Sequence, residues 1–392
     1  MKKILRRLIG YTNLLFAILL VLSSLSPNMS PERFWGPSFM GLAYPYILVI
    51  NIFFMGFWIL RKKRELIISF LAILVGWHTL VENISLHPGA LFHRAQFENL
   101  SRGERISERQ MKIISYNVRA FDRYHWTDNP AAREEIIDLL RKDDPDILCL
   151  QEYYCTESGK FRYEDIYAAF ERTPYRHIEY IISNSQARYG IAIFSHYPII
   201  ASGRVELNSS LSVCSYADIK IFEDTLRIYN MHLQSVRLNR QHYRFIDSLK
   251  FRYDNQQMEE IKDISYRLRD AFIKRAAQAD LIADHIEGSP HPVIVCGDFN
   301  DTPVSYTYHR IRGDLLDAFS ESGWGMGRTY NGKFPSYRID YILFGDTFEA
   351  MHFRRNKVKL SDHFPVTGYL KFKEKELLGE QIRGWVQKTG PS

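Results

Sequence analysis

Apolar and polar positions alternate differently in two parts of this chain. Up to about Leu86 the apolar residues come in long unbroken blocks. From Met111 onward they come in short strand-length runs bounded by Pro, Gly or Asp. Three blocks stand out in the first part: Leu8–Leu25 and Phe39–Leu60 carry no charge, and Leu66–Val81 reaches spanning length if it extends to Ile84. A bilayer core needs about 20 apolar residues in a helix. The pattern therefore predicts three transmembrane helices, at about 8–25, 39–60 and 66–84, within a membrane region of residues 1–86.

The second part predicts mixed α and β structure. Strand-like runs fall at Met111–Val118, Asp146–Gln151, Tyr189–Phe194, Val213–Lys220, Leu226–His232, Val293–Cys296, Arg338–Phe344 and Val366–Phe372. They are rich in Ile, Val and aromatic residues, as strands are. Between the first two, Asn129-Pro130 resembles a helix cap followed by proline at the first helical position. Ile136, Ile137, Leu139 and Leu140 then supply a buried face before Asp143-Asp144-Pro145 ends the helix. Asp301-Thr302-Pro303 has the same cap-like look. Many strands with interspersed helices argue for an α/β or α+β domain with more than one sheet. The domain is expected over 111–375, joined by a polar linker at 87–110 and followed by a tail at 376–392. In the stretch 237–287, Met258, Ile261, Ile264, Leu268, Ala271 and Phe272 recur at helical spacing. That stretch reads as a helix packed on the domain with a solvated charged face.

Charge adds an orientation. Lys2, Lys3, Arg6 and Arg7 precede the first block, and Arg61-Lys62-Lys63-Arg64 separates the second from the third. The positive-inside rule places both in the cytoplasm. Three crossings then put the rest outside, giving a multi-pass membrane protein whose second part is extracytoplasmic. The net charge of +6 partly reflects these topogenic residues and is weak support for nucleic acid as a partner. Cys149 and Cys296 lie in apolar runs and read as buried thiols. Cys155 and Cys214 could pair in an oxidising compartment.

Candidate chemistry sits at the ends of the strand-like runs. In order these are Ser115-Tyr116-Asn117, Gln151-Glu152, Asn230-Met231-His232, Gly297-Asp298-Phe299-Asn300, Arg338-Ile339-Asp340 and Ser361-Asp362-His363. Any one alone is an ordinary surface or turn group. Strands that share an edge would gather the six into one pocket. Carboxylates, amides and imidazoles together suit phosphoester hydrolysis, which needs phosphoryl charge neutralised, a water deprotonated and a leaving oxygen stabilised. A hard cation such as Mg²⁺ is held by a few carboxylates. Asp298 and Asn300 flank Phe299, so an extended backbone points both to one side.

From about Lys112 to Lys373 this ordered set resembles the endonuclease/exonuclease/phosphatase superfamily, the deoxyribonuclease I-like fold. Gly297-Asp298-Phe299-Asn300 and Ser361-Asp362-His363-Phe364-Pro365-Val366 are its most distinctive pieces. The resemblance implies a four-layer α/β/β/α sandwich preceded here by the three transmembrane helices. It implies that Glu152 and Asp362, helped by Asn117, bind Mg²⁺ or Mn²⁺. Asp298 would be the general base, and Asn300 would position the nucleophile or phosphate. His232 and His363 would bind the phosphoryl group, with Asp340 orienting His363. One departure stands out: where some nuclease-type members place a glutamate to orient the first histidine, this chain has Arg188 and Tyr189.

The expected activity is that of a membrane-anchored, metal-dependent phosphodiesterase, most often a nuclease for such motifs. A phospholipid or small phosphate-ester hydrolase is the rival, and a catalytically silent binding module a third reading. The substrate would be a phosphodiester or phosphomonoester on a nucleic acid, a phospholipid head group or a small ester. The lipid bilayer is engaged through the N-terminal helices, and no protein partner is implied.

Overall fold

A computed structural model describes residues 2–92, 94–184, 186–209, 212–238, 242, 245, 255–332 and 337–373. The expected tail at 376–392 lies outside these residues.

The N-terminal region packs four helices: α1 (Lys2–Ser24), α2 (Gly36–Leu60), α3 (Leu66–Val75) and α4 (Trp77–Asn83). Two helices, over Ile4–Asn28 and Gly36–Leu60, are long and apolar enough to cross a membrane. The third expected span is instead broken: α3 and α4 meet at Gly76 with a bend of 73°. Without a side chain, Gly76 is the weakest helical link in that apolar run. A buried polar relay ties the bundle. Trp58 donates its indole N–H to Asn13 Oδ1 (2.7 Å), Asn13 Nδ2 donates to Ser69 Oγ (2.7 Å), and Ser69 donates to Asn51 Oδ1 (2.8 Å). Every donor in that relay is satisfied, as an apolar surround demands.

Among the described residues the second region contains two six-stranded sheets. The first uses β1 (Gln110–Asn117), β2 (Ile147–Cys155), β3 (Tyr175–Ser183), β4 (Arg188–Ser195), β10 (Phe348–Arg355) and β11 (Val366–Phe372), in the order β10-β11-β1-β2-β4-β3. The second uses β5 (Ile199–Val205), β6 (Val213–Ile221), β7 (Asp224–His232), β8 (Val293–Asp298) and β9 (Asp340–Phe344), in the order β9-β8-β7-β6-β5, with Leu316–Asp317 beyond β9. Ile113, Ile147, Ile193, Ile219, Ile228, Ile294 and Ile342 are among the residues that fill the space between the sheets. Helices α6 (Ala132–Asp143) and α7 (Tyr163–Ala169) cover the outside of the first sheet. Helices α8 (Asn255–Glu287) and α9 (Tyr306–Arg312) cover the second. The architecture is the expected four-layer α/β/β/α sandwich.

Each sheet has one parallel pair, β1 with β2 and β7 with β8. Parallel neighbours deliver their C-terminal residues to the same edge. The register places Asn117 beside Gln151 in one sheet and His232 beside Asp298 in the other. Antiparallel β9 begins at that same edge, opposite Asp298, with Asp340. Gln151 ties the sheets together below it, donating to Asn230 Oδ1 (2.7 Å), while Asn230 Nδ2 donates to the carbonyls of Leu150 and Ala192.

Several local expectations are corrected. The first helix of the sandwich starts at Ala132, and Asn129 instead accepts from Ala131 N–H in a turn before it. Asp301 caps no helix. It is buried, accepting from Arg275 Nε (2.9 Å) and Thr307 Oγ1 (3.0 Å), and Ser305 caps α9. The stretch 87–110 is polar in sequence yet largely helical. Its last helix, α5 (Arg102–Ser107), has a Ser101/Glu104 capping box, and Arg105 is buried against Asp146 (2.9 Å). The four cysteines are buried free thiols.

Among the described residues, one end of the N-terminal helices touches the sandwich. Ser26 Oγ donates to Val304 O (2.7 Å), Tyr337 OH to Leu42 O (3.0 Å), and Arg338 to Glu82 O (2.7 Å). The basic end lies opposite, where Arg6 pairs with Glu65 (2.6 Å). Ile264, Leu268 and Phe272 of α8 are buried against Phe39 and Leu42 of α2. The apolar face of α8 thus serves two partners, the second sheet through Ala279 and Ile282 and α2 through its earlier half.

Candidate active site

Backbone strain marks the first sheet's contribution. Glu152 sits in β2 at φ 51°, where pairing with β4 slips between Leu150 and Tyr153. A left-handed non-glycine residue inside a strand is unfavourable and concentrates at functional sites. Here it turns Glu152 out of the strand's alternation toward the shared edge. A second strained segment follows Asn117: Arg119, Ala120, Phe121 and Asp122 all have φ between 46° and 55°. Asp122 stabilises that turn by accepting from Trp126 N (2.9 Å) and Thr127 Oγ1 (2.6 Å).

The expected side chains converge. Asn117 Nδ2 donates to Asp298 Oδ2 (3.0 Å) and to Glu152 Oε1 (3.2 Å). His232 Nε2 lies 3.7 Å from both Glu152 Oε1 and Asp298 Oδ2. His363 Nε2 lies 3.6 Å from Asp298 Oδ2, and its Nδ1 is 2.9 Å from Asp340 Oδ2. Asn300, left-handed at φ 54°, donates its backbone N–H to Asp298 Oδ1 (2.8 Å) and its amide to Leu233 O (3.1 Å). Asp362 completes the set, paired with Arg119 at 3.1 Å. All but Asn117 and Asp340 line one cavity of about 470 Å³.

The electrostatics follow from this burial. Burial pushes the Asp298 carboxyl above its ordinary value, against the pull of His363 and His232. Burial likewise raises Asp362, His363 and Arg119 oppose that, and the Glu152 carboxylate adds to the rise. For His363, burial disfavours the charge, yet the carboxylates of Asp340 and Asp298 outweigh it and hold the ring well above the usual imidazole range. Imidazolium is the resulting form, with hydrogen-bond donors at both nitrogens. Asp340 is itself fixed, donating its backbone N–H to Thr329 Oγ1 (3.1 Å).

Two acidic groupings could attract a cation. Atoms of Asp298, Asp340 and His363 all lie within 4.8 Å of one another. Asp340 engages His363 Nδ1 through both carboxylate oxygens, and that trio is an ion-paired triad. Glu152 and Asp362 fit better, since both line the cavity and the Glu152 charge raises the cost of Asp362's. Asn117 accepts from Arg119 N–H through its oxygen (3.0 Å) and faces the carboxylates through its nitrogen. In this geometry it positions Glu152 and Asp298.

Three groups gave no motif signal. Arg119 stands two residues beyond Asn117, pairs with Asp362 and lies over the Trp126 ring at 4.3 Å. Tyr189 occupies the place of the missing glutamate, and its hydroxyl donates to Glu152. Thr329 also receives Ile339 N–H (3.0 Å) and so sets the start of β9. Arg338, though part of a candidate motif, is structural: it is buried in an ion pair with Asp317.

A model of the Endonuclease/Exonuclease/phosphatase family matches residues 114–363, and a model of a domain of unknown function matches residues 6–82. Similar solved structures include an endonuclease/exonuclease/phosphatase family protein from Bacteroides thetaiotaomicron, 17% identical with a TM-score of 0.48, covering 68% of this chain and 99% of that one. Another, from Bacteroides vulgatus, is 16% identical with a TM-score of 0.49, covering 67% and 99%. A mannosyl-6-phosphatase from Bacteroides thetaiotaomicron is 18% identical with a TM-score of 0.45, covering 67% and 100%. No curated protein matches the chain.

Proposed function

The chain belongs to the endonuclease/exonuclease/phosphatase family, and on that premise we propose a divalent-metal-dependent phosphoester hydrolase, anchored in a membrane by its N-terminal helices with its catalytic domain on the extracytoplasmic side. The observation that carries this reading is the convergence of Glu152, His232, Asp298, Asn300, Asp362 and His363 on one cavity from segments spread over more than half of the chain.

Glu152 and Asp362 would hold Mg²⁺ or Mn²⁺, which supplies Lewis-acid neutralisation of phosphoryl charge. The remaining roles fall to the chain itself. A phosphoryl oxygen fits between His232 Nε2 and His363 Nε2, which approach the same Asp298 oxygen. Asp298, with its raised proton affinity, takes a proton from water as the new P–O bond forms and the ester P–O bond breaks. The proton that Asp298 takes up passes through solvent to the leaving oxygen, which departs as an alcohol. Asn300 fixes the Asp298 carboxylate through its backbone N–H. Asp340 keeps the His363 ring oriented and charged.

The test is turnover of bis-p-nitrophenyl phosphate by the full chain in detergent, with Mg²⁺ or Mn²⁺ and then with chelator. Metal-dependent release of p-nitrophenol that Asp298→Asn abolishes supports the reading. Absence of metal-dependent turnover across nucleic acids, phospholipids and small esters overturns it in favour of a silent binding module.

A further inference from the structure

The cavity that holds the catalytic groups has a second wall of different character. Leu42, Val236, Leu238, Leu268 and Phe272 also line it, with Arg237 and Arg275 among them. Leu42 belongs to α2, a helix apolar enough to cross a bilayer. Phe39, one turn earlier, packs edge-on against Phe272 with ring centroids 5.3 Å apart. One membrane-spanning helix therefore contributes to the lining of a site for phosphoester chemistry.

Helix geometry fixes the depth of that wall. The 25 residues of α2 rise about 38 Å at about 1.5 Å per residue, while a hydrocarbon core is about 30 Å thick. About 20 residues counted back from Leu60, beside the basic turn, end at Gly41. Leu42 then falls at the boundary between hydrocarbon and head groups. Phe34 and Trp35, just before α2, are exposed, and aromatic side chains of this kind concentrate at that level. Arg269 of α8 lies over the Trp35 ring at 5.4 Å. The backbones are locked as well: a Cβ on Gly41 would meet Val304 O at 2.4 Å, in the loop that follows Asp298 and Asn300.

We propose that the substrate is a bilayer lipid carrying a phosphoester, its apolar chain lying along the α2–α8 wall while its phosphate reaches the Glu152–Asp298–Asp362 edge from the membrane surface. This rests on the hydrolase reading above. A water-soluble ester gains nothing from Leu42, Leu238 and Leu268, whereas a chain that leaves water against them gains with each methylene buried. A polynucleotide would draw instead on the cavity's arginines, yet Arg275 is held by Asp301 and Arg119 by Asp362.

The experiment uses the full chain in nanodiscs or mixed micelles with Mg²⁺. It compares dihexanoyl and dioleoyl forms of phosphatidic acid and of phosphatidylglycerol, with bis-p-nitrophenyl phosphate and single-stranded DNA as further probes. The long-chain form of one lipid should exceed its short-chain form by at least roughly tenfold in kcat/KM. Leu268→Gln should reduce that ratio severalfold, and Leu268→Met should preserve it. Preference for phosphatidic acid assigns a monoester substrate and preference for phosphatidylglycerol a diester. Equal rates for short and long chains, or DNA as the preferred probe, overturn the proposal while leaving the hydrolase reading intact. No turnover of any probe, including bis-p-nitrophenyl phosphate, overturns both.

Discussion

Both carboxylate oxygens of Asp340 lie within 3.0 Å of His363 Nδ1, at the point where β9 enters the sheet opposite Asp298. The pair is fully desolvated, so its worth depends on keeping both members charged. Asp340→Asn keeps the shape and removes the charge that holds the ring protonated. The pKa of His363, now raised, should fall toward or below the imidazole value of about 6.5. Its contribution to stability, present below the unfolded-state pKa and lost as pH rises through the folded one, should then vanish at a lower pH than in the parent. The expected result is a kcat drop of about 100-fold at neutral pH, with the alkaline limb of the pH profile moved to lower pH. An unchanged profile would show that Asp340 only packs.

Glu152 and Asp362 face one cavity, where Arg119 pairs with Asp362, so a cation should relieve their repulsion. Mg²⁺ or Mn²⁺ at 100 times its Kd should stabilise the parent by about 2.7 kcal/mol. Glu152→Gln combined with Asp362→Asn should abolish that increment, read by thermal unfolding with and without chelator. An equal metal response in the double variant would place the cation elsewhere, with the Asp298–Asp340–His363 cluster the next candidate.

The sequence exposes this site better than its surroundings, and for a physical reason. Asn117, His232 and Asp298 end strands whose apolar runs are unmistakable, so their place at a sheet edge follows from strand geometry. Glu152 also stands at such an end, but nothing in Gln151-Glu152-Tyr153 announces the left-handed turn that aims it. Arg119 escapes notice because its partner Asp362 is more than 240 residues away. The same holds for α8. Its periodicity reveals an apolar face, but periodicity says nothing about whether a sheet or another helix covers it. Strands β3, β5 and β10 escape because they lie at or beside sheet edges and carry mixed polar residues. Gly76 is a different kind of omission. A hydropathy count over Leu66–Val81 averages across the one residue at which the helix breaks.

The orientation argument makes a direct prediction. The four native cysteines are buried, so a membrane-impermeant maleimide on intact cells should report introduced thiols alone. Asn28→Cys, beside the contact between Ser26 and Val304, should be labelled from outside. Lys62→Cys, in the basic turn after α2, should be labelled only after permeabilisation. The reverse pattern would place the catalytic domain in the cytoplasm.

Gly41 tests whether α2 supports the site mechanically. Its backbone packs so closely that an added Cβ would stand 2.3 Å from Ser26 Oγ and 2.4 Å from Val304 O. The serine hydroxyl can rotate, but the Val304 carbonyl is main chain and cannot yield without moving the segment after Asp298-Phe299-Asn300. Asp301 in that segment is tied to Arg275 of α8, and Tyr341 donates to its carbonyl (2.8 Å). Gly41→Val should therefore push α2 and this loop apart, because the strained alternative costs more than the contact returns. Stability should fall by about 1–3 kcal/mol, the usual range for an overpacked contact. Activity should fall further than that loss explains, since a displacement near 1 Å at Asn300 costs about 100-fold in a positioned site. Gly41→Ala should show a milder form of both effects. Kinetics on bis-p-nitrophenyl phosphate alongside thermal unfolding separate the two terms: full activity in a destabilised Gly41→Val protein would mean that α2 tethers the domain without shaping its site.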